Sequence, residues 1–142
     1  MIKQFNKNDA NELSVIMQIW YESNCDAHPF IDESYWKNHF ETVKEAIQNA
    51  DVYVIMEDNQ IKGFIGLIND YIAGLFVQKN ARHHGLGKQL LNNAKQTHQI
   101  LTLEVYEKNQ NAVQFYEKNG FKIIETKLDP DTQEMEHLMK WE

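Results

Sequence analysis

The sequence is poor in the residues that build crosslinks, linkers and membrane spans. Cys25 is its only cysteine, so no intramolecular disulfide can form and no second thiol completes a metal-binding pair. The two prolines and six scattered glycines form no linker, and we expect one domain over residues 1–142. No apolar run reaches the roughly 20 residues of a membrane-spanning helix, and the first residues lack the apolar centre of a signal peptide. We therefore expect a cytoplasmic protein without a membrane partner.

Positive charge is also scarce. The sequence has 14 lysine and arginine residues against 21 aspartate and glutamate residues, which gives a formal net charge of −7. That balance opposes attraction to the phosphate backbone of nucleic acid, so we expect no nucleic-acid partner. An acidic surface instead favours cationic partners.

Hydrophobic spacing predicts helices interspersed with strands. Apolar residues recur at intervals of three and four after the capping residues Asp9 and Asp32, from Gly85 to about residue 98, and after Asn109. Glu12, three positions after Asp9, completes the pattern of a capping box. Runs rich in β-branched and aromatic residues predict strands at 1–6, 52–56, 61–68, 71–77, 100–106, 121–126 and 134–141.

The order of these elements predicts an α/β fold with a mixed, mostly antiparallel sheet flanked by about four helices. The strand–helix–strand unit over residues 71–106 requires a right-handed crossover, which makes its two strands parallel. The last strand places Met135, His137, Met139 and Trp141 on one face, which is buried either inside the fold or in a dimer contact. The residues therefore leave open whether the protein is a monomer or a homodimer.

The loop after residue 77 carries the first motif, in which the segment from Arg82 to Lys88 has the spacing Arg-x-x-Gly-x-Gly. A helix begins at the glycines, and the first turn of a helix binds anions through unsatisfied N–H groups and the positive end of the helix dipole. Gly85 and Gly87 lack a Cβ, which lets a pyrophosphate approach the backbone closely. Arg82, Lys88 and His83 are candidates for added positive charge at the rim.

The same loop has other interpretations. Gly85 and Gly87 also fit a purely structural role, in which they ease a tight turn from strand to helix. Two nucleotide-binding alternatives fail, because the loop matches neither the Walker pattern Gly-x-x-x-x-Gly-Lys-Ser/Thr nor the dinucleotide pattern Gly-x-Gly-x-x-Gly. His83 and His84 are adjacent, and sequence neighbours rarely chelate one ion together, so we expect no metal.

The second motif is the segment from Asn109 to Phe121, Asn-Gln-Asn-Ala-Val-Gln-Phe-Tyr-Glu-Lys-Asn-Gly-Phe. With the glycine loop it resembles the GNAT superfamily of N-acetyltransferases. The acetyl-CoA loop of that family has the form Gln/Arg-x-x-Gly-x-Gly/Ala, and its later helix often reads Asn-x-x-Ala-x-x-Phe-Tyr-x-x-x-Gly-Phe. The order of elements over nearly the whole chain is similar too. Residues 19–23 and 27–30 further resemble bacterial YjaB-type acetyltransferases.

The resemblance implies an enzyme that moves an acetyl group from acetyl-CoA directly to a primary amine in a ternary complex, without a covalent acyl-enzyme. The implied acceptors are a small-molecule amine, a protein lysine and a protein N-terminus, and the residues do not distinguish among them. The resemblance also implies that strands 71–77 and 100–106 splay apart around the pantetheine arm. The residues implied to bind acetyl-CoA are Leu75, Phe76, Val77, Arg82, His83, Gly85, Leu86, Gly87, Lys88, Asn109 and Tyr116.

Tyr116 matches the family tyrosine that protonates the departing CoA thiolate. A phenol whose ordinary pKa is about 10 is protonated at neutral pH and can donate to a thiolate whose parent thiol titrates near 8.5. Tyr116 also fits as an aromatic on the buried stripe of its helix. Asn109 matches the residue that caps this helix and contacts the pantetheine, and capping alone also accounts for it.

The general base is the least determined residue. Many family members carry an acid on the strand before the cofactor loop, whereas residues 72–74 here are Ile-Ala-Gly. Glu104 is the first candidate, because alternation places it on the strand face opposite Leu103 and Val105. His28, between the first two helices, is the second candidate. Each also fits a structural role, Glu104 as a solvated carboxylate and His28 as a hydrogen-bonding loop residue.

The missing acid keeps a second function open, in which the protein is a non-catalytic acyl-CoA-binding sensor or interaction module. Four aromatic residues, Trp20, Tyr21, Trp36 and Tyr71, are candidates for the wall of an acceptor pocket. Aromatic residues at helical spacing belong more often to the core, so this assignment has a plain alternative.

Overall fold

The computed structural model describes residues 1–142, and its elements follow the predicted order. The strands are β1 (Ile2–Gln4), β2 (Asp51–Glu57), β3 (Gln60–Ile68), β4 (Tyr71–Val77), β5 (Leu101–Tyr106), β6 (Lys122–Asp129) and β7 (Glu134–Trp141). The helices are α1 (Ala10–Ala27), α2 (Glu33–Asn49), α3 (Leu86–Thr97) and α4 (Gln110–Lys118), with a 3-10 turn at Lys79–Ala81. None of the helices combines the length and the apolar character that crossing a bilayer requires.

The predicted caps begin three of the four helices. The side chains of Asp9, Asp32 and Asn109 each accept hydrogen bonds from backbone N–H groups in the first turn of the helix that follows. Gly120 ends the segment after α4 with a φ of +93°, in the left-handed region that glycine tolerates. Local chemistry therefore accounts for where these helices begin and where α4 ends.

Only one of the two hydrogen bonds of the predicted capping box at Asp9 forms. Asp9 accepts from the N–H of Glu12, as predicted, but the Glu12 carboxylate does not return to the N–H of Asp9. That N–H already donates to the carbonyl of Asn6, so Glu12 accepts instead from the N–H of Asn6 and from Nζ of Lys3 at 2.7 Å. The prediction was wrong in this second bond.

The sheet confirms the predicted mixed topology. Its seven strands lie in the order β1-β2-β3-β4-β5-β7-β6, and every neighbouring pair is antiparallel except β4 and β5. That parallel pair is joined in register only at Tyr71 and Thr102, near the start of both strands. Beyond this point no ladder holds the two strands together, so they separate toward their carboxyl ends.

Each face of the sheet carries its own helical layer and core. On one face α3 and α4 pack on a cluster that includes Leu90, Leu103 and Met139. On the other face α1 and α2 pack on a cluster that includes Ile16 and Phe64. Alternation along β5 divides its side chains between the two layers.

Most of the predicted apolar face of β7 is buried inside the fold, which is the first of the two alternatives stated for that face. Met139 is fully buried in the cluster under α3 and α4. His137 is nearly buried and lies beside Thr126 of β6. Met135, at the start of the strand, is exposed. The choice between monomer and homodimer stays a prediction.

Gly63 provides a test of the β3–β4 pairing that shapes the site. A Cβ on Gly63 would lie 2.7 Å from the backbone oxygen of Phe76 and 3.3 Å from Cα of Val77. We expect Gly63→Ala to lower the free energy of unfolding by about 1–3 kcal/mol, because only a backbone shift relieves that clash. The measurement is urea denaturation followed by circular dichroism.

Gly66→Ala is the matched control in the same strand. Its added Cβ would meet nothing closer than a Val52 methyl at 3.9 Å, so we expect a change within about 1 kcal/mol. Equal stabilities for the two variants would contradict the close approach of β3 and β4.

Candidate functional site

The separation of β4 and β5 opens a groove of about 1010 Å³ at their carboxyl ends. The end of α1, the end of β4, the loop before α3 with the start of that helix, and one side of α4 form its walls. All the residues predicted to bind acetyl-CoA line this one groove: Leu75, Phe76, Val77, Arg82, His83, Gly85, Leu86, Gly87, Lys88, Asn109 and Tyr116. The fold therefore brings together two motifs that are separated by a helix and a strand in the sequence.

The glycine loop has the geometry of an anion site. Gly85 is the N-cap of α3 with a φ of +76°, and His83 has a φ of +69°, so the chain turns sharply through left-handed backbone. No side chain caps the N–H groups of the first turn of α3. Because Leu86, Gly87 and Lys88 all line the groove, these unsatisfied donors and the positive helix end lie at its wall.

Arg82 is less free than the sequence suggests. Its Nη1 lies 2.9 Å from Oδ2 of Asp26 at the end of α1, and its Nε donates to the carbonyl of Val77 at 3.3 Å. Lys79 lies 3.5 Å from the same carboxylate. The Arg82 guanidinium holds the pKa of Asp26 below its ordinary value. The pair ties the loop to α1, and sequence reasoning missed Asp26 because nothing local marks its partner.

Tyr116 lies where the groove meets a second, smaller cavity of about 280 Å³. Its ring packs edge-on against Phe115 and Phe121 at centroid distances of 5.2 and 5.4 Å. Burial raises the pKa of Tyr116 well above its ordinary value, so the phenol stays protonated at neutral pH. Both interpretations of Tyr116 apply to its position, since the ring packs in the core and the residue lines both cavities.

The second cavity lies on the α1 and α2 side of the sheet. It shares six lining residues with the groove, namely His28, Leu75, Phe76, Asn109, Ala112 and Tyr116. Of the aromatic candidates, Trp20 and Trp36 line it, whereas Tyr21 instead donates a hydrogen bond to Glu33 and Tyr71 lies outside. The indole N–H of Trp36 is buried without a protein acceptor.

Glu104 lies in this second cavity and does not line the groove. The predicted alternation is confirmed, because Leu103 and Val105 are buried on the α3 side while Glu104 points the other way. Tyr71 donates its hydroxyl to Oε1 of Glu104 at 3.1 Å, and Nζ of Lys127 lies 3.7 Å from Oε2. Glu104 is thus a carboxylate fixed by a hydrogen bond and an ion pair, in a cavity that Tyr116 also lines.

His28 is enclosed and fully hydrogen-bonded. Its Nδ1–H donates to the carbonyl of Asn24 at 3.0 Å, and its Nε2 accepts from the Asn109 amide at 3.2 Å. The ring stacks on Trp36 at a centroid distance of 5.3 Å. Burial lowers the pKa of His28. No lone pair of the neutral ring is left for a substrate proton in this conformation, so the contacts favour a positioning role.

Asn109 performs two tasks at the groove. Its Oδ1 accepts from the N–H of Ala112 as the cap of α4, while its Nδ2 donates to His28. The same side chain therefore joins the start of α4 to the end of α1. The capping role was predictable from the sequence, but the partner 81 positions away was not.

Glu136 is the cavity residue that sequence reasoning missed. It lies on β7 directly opposite Tyr106 of β5 and lines the second cavity together with Glu104. Burial, followed by the charge of Glu104, raises the pKa of Glu136 to about 7. Alternation in the sequence groups Glu136 with Leu138 and Lys140, but only the non-local register of β5 and β7 places it beside Glu104.

A sequence profile of the acetyltransferase (GNAT) domain matches residues 21–135, and the chain belongs to this family of N-acetyltransferases. It is 37% identical over 133 residues to the peptidyl-lysine N-acetyltransferase YiaC of Escherichia coli, covering 92% of this chain and 91% of YiaC. It is 30% identical over 124 residues to the peptidyl-lysine N-acetyltransferase YjaB of Salmonella typhimurium, covering 87% and 86%. The predicted family and the YjaB-type resemblance are confirmed.

Solved structures agree with this assignment. The solution structure of apo YjaB from Escherichia coli matches with a TM-score of 0.86 at 26% identity, over 99% of this chain and 96% of that one. A Bacillus anthracis protein solved in complex with acetyl coenzyme A matches with a TM-score of 0.60 at 30% identity, over 65% and 61% of the two chains. The predicted GNAT fold is confirmed.

The buried His28 predicts a pH dependence of stability. Unfolded histidine titrates near 6.5, whereas the pKa of the folded ring is lower, so the unfolded state takes up the proton first. We expect the free energy of unfolding to fall as the pH drops from about 6.5 toward the folded pKa. The contribution of His28 is at most about 1.4 kcal/mol per pH unit.

His28→Gln should make this decline shallower, as measured by urea denaturation at several values between pH 7 and pH 5. His84→Gln, a change at an exposed histidine, is the control for removal of an imidazole. Parallel stability curves for the wild type and His28→Gln would show that His28 titrates alike in both states.

Proposed function

We propose that the protein transfers an acetyl group from acetyl-CoA directly to the side-chain amine of a peptidyl lysine in a ternary complex. The observation that carries this proposal is that two cavities of opposite charge meet at Tyr116. The groove is lined by Arg82, Lys88, Lys108 and Lys118 against a single carboxylate, Asp26, and the second cavity is lined by Glu104 and Glu136 without lysine or arginine.

The charge of the groove suits acetyl-CoA. A pyrophosphate is an anion, and the uncapped first turn of α3 offers it N–H donors beside the Lys88 ammonium. The end of β4 pairs with β3 on one side only, because β5 has separated from it there. Backbone groups near Leu75 and Val77 are therefore available to an extended amide chain such as pantetheine. A relative of the same fold was solved with acetyl coenzyme A.

The charge of the second cavity suits a cationic amine. A lysine-type amine has a pKa near 10.4 and arrives mostly as an ammonium, which two carboxyl groups attract. Tyr35, Trp36 and Tyr106 line the cavity, and aromatic side chains of this kind favour the aliphatic stem of lysine. The relatives YiaC and YjaB carry the name peptidyl-lysine N-acetyltransferase, which supports this acceptor.

Two residues divide the proton transfers in this scheme. The ammonium must lose a proton before its nitrogen can attack, and Glu104 is the base that we propose for that step. Acetyl-CoA supplies the activated acetyl group as a thioester. Tyr116 donates its phenolic proton to the departing thiolate, and the burial that keeps the phenol protonated also destabilises an unprotonated thiolate beside it. The cysteine is not needed, since Cys25 lines neither cavity.

Binding of acetyl-CoA tests the groove. A Cβ on Gly87 would make ordinary contacts of 3.4 Å with Phe115 and 3.8 Å with Val77, so a small side chain fits there and a large one fills the groove. We expect Gly87→Trp to lower the affinity for acetyl-CoA by at least about 100-fold, since the N–H groups of α3 become covered. Isothermal titration calorimetry gives the dissociation constants.

Gly87→Ala is the matched control and should keep the wild-type affinity within a few-fold, with circular dichroism verifying that both variants fold. If the wild type does not bind acetyl-CoA, the proposed function is wrong. If the wild type binds but acetylates no amine, the protein is the acyl-CoA-binding module that the sequence left open.

Turnover tests Tyr116. Tyr116→Phe keeps the ring contacts with Phe115 and Phe121 but removes the proton donor. We expect kcat to fall by about 100-fold, a common contribution of a general acid, while the affinity for acetyl-CoA stays within a few-fold because the ring that lines the groove remains. The assay follows thiol release with a peptide that carries one lysine and a blocked N-terminus.

Tyr53→Phe, at a half-buried tyrosine outside both cavities, controls for the loss of a hydroxyl. A Tyr116→Phe variant with the wild-type kcat would limit Tyr116 to packing.

A further inference from the structure

We propose that Glu136 shares one proton with Glu104 and thereby sets the proton affinity of the base that deprotonates the acceptor amine. Glu136 acts through Glu104 and is in this sense a positioning residue. The inference rests on the proposed function, because it assigns Glu136 a role in the same acceptor cavity. It goes beyond that function in making the base a pair of carboxyl groups on two strands.

The register of the sheet places the two carboxyl groups together. In the antiparallel pair β5–β7, Tyr106 lies opposite Glu136 and Glu104 lies opposite Leu138. Residues directly opposite each other share a face, so Glu104 and Glu136 are diagonal neighbours on the same face, within reach of long side chains. Both line the cavity that adjoins Tyr116.

The surroundings make two negative charges costly there. The Glu104 side chain keeps 30% of its surface accessible and Glu136 is half-buried, and burial, followed by the charge of Glu104, raises the pKa of Glu136. Two neighbouring carboxyl groups do not ionise independently of each other. A proton that they share belongs to the pair rather than to either residue. The pKa of Glu136, raised to about 7, therefore lies near neutrality, where a general base is most effective.

The other polar groups around the pair leave it net negative. Tyr71 donates to Glu104, and Tyr106 donates its hydroxyl to Asp129 at 2.8 Å rather than to Glu136. Lys127 of β6 is the one ammonium against the pair, 3.7 Å from Glu104 and opposite Glu136 in the β6–β7 register. The titratable and charged groups that face Glu136 are Glu104 and Tyr106 on β5, Lys127 and Asp129 on β6, and Tyr35 and His39 on α2.

The shared proton changes the chemistry of amine activation. A lysine ammonium of pKa near 10.4 faces a gap of about six units to an ordinary glutamate, and a gap of roughly three to four units to a carboxyl pair that titrates near neutrality. When the ammonium enters the ionised pair, its N–H bond breaks and an O–H bond forms on a carboxyl oxygen. The freed nitrogen forms a bond to the acetyl carbon as the carbon–sulfur bond breaks, and the thiolate takes the proton of Tyr116. As the nitrogen becomes an amide it gives up its second proton through solvent to the Tyr116 phenolate, and the carboxyl pair releases the first proton to solvent. Each step balances without a further reactant.

The first experiment titrates the pair directly. The protein is labelled with ¹³C at the glutamate side-chain carboxyl carbons and followed by NMR from pH 4 to pH 9, without any acceptor. We expect Glu136, identified by its loss in Glu136→Gln, to titrate near neutrality in the wild type and at least about one unit lower in Glu104→Gln, because the neighbouring charge is gone. Titration of Glu136 at an ordinary glutamate pH in the wild type would overturn the proposal.

The second experiment measures the dependence of kcat/KM on pH with the single-lysine peptide. In the wild type the ascending limb should report the pair, whereas in Glu136→Gln it should move to lower pH by more than about one unit. The plateau should fall on the order of tenfold, since the remaining carboxylate is a weaker base. The affinity for acetyl-CoA should stay unchanged, because Glu136 does not line the groove. A merely structural role for Glu136 would not move the limb.

Glu134→Gln is the matched control. Glu134 lies two residues earlier on the same strand, pairs with Lys108 at 2.9 Å and lines neither cavity, so its loss should leave the pH profile in place. An unchanged pH profile in Glu136→Gln would refute the proposal. Failure of the wild type to bind acetyl-CoA or to acetylate the peptide would refute the proposed function instead, and the NMR titration would still decide whether the two carboxyl groups share a proton.

Discussion

The structure depends on a parallel strand pair that is joined at only one position. β4 and β5 meet in register at Tyr71 and Thr102 and then separate, while both strands keep an antiparallel neighbour on their other side. The backbone groups along the gap have no strand to pair with, and buried groups of this kind need partners. The gap therefore creates the groove, leaves donors and acceptors for an extended ligand, and joins the two faces of the sheet at Tyr116.

The gap also brings a basic groove and an acidic cavity together. Around the groove the lysines and Arg82 outnumber the carboxylates, although the whole chain carries a net charge of −7. The negative charge beside the gap lies on the other side, in Glu104 and Glu136. An overall charge describes solubility and long-range steering, whereas binding follows the local field. The acidic composition predicts a cationic partner, which agrees with the acceptor that we propose, but it gives no sign of the basic groove.

Much of this structure could be predicted because its signals are local. The caps Asp9, Asp32 and Asn109 and the strand ranges follow from neighbouring residues, and the two motifs are short and ordered. The half-formed capping box, the Asp26–Arg82 pair and the hydrogen bond between His28 and Asn109 could not be predicted, since each depends on residues brought together by the fold. The second and third of these contacts place the end of α1 against both motifs, which makes the end of α1 part of the site.

Glu136 marks the limit of sequence reasoning most clearly. The sequence predicts the bounds of its strand and the residues of that strand that share its face. A strand pattern does not say, however, which other strand lies beside it. Only the placement of β7 between β5 and β6 puts Glu136 diagonal to Glu104 and opposite Lys127. An acid before the cofactor loop is absent from residues 72–74, and in the base that we propose a sheet contact between distant strands brings in the second carboxyl group.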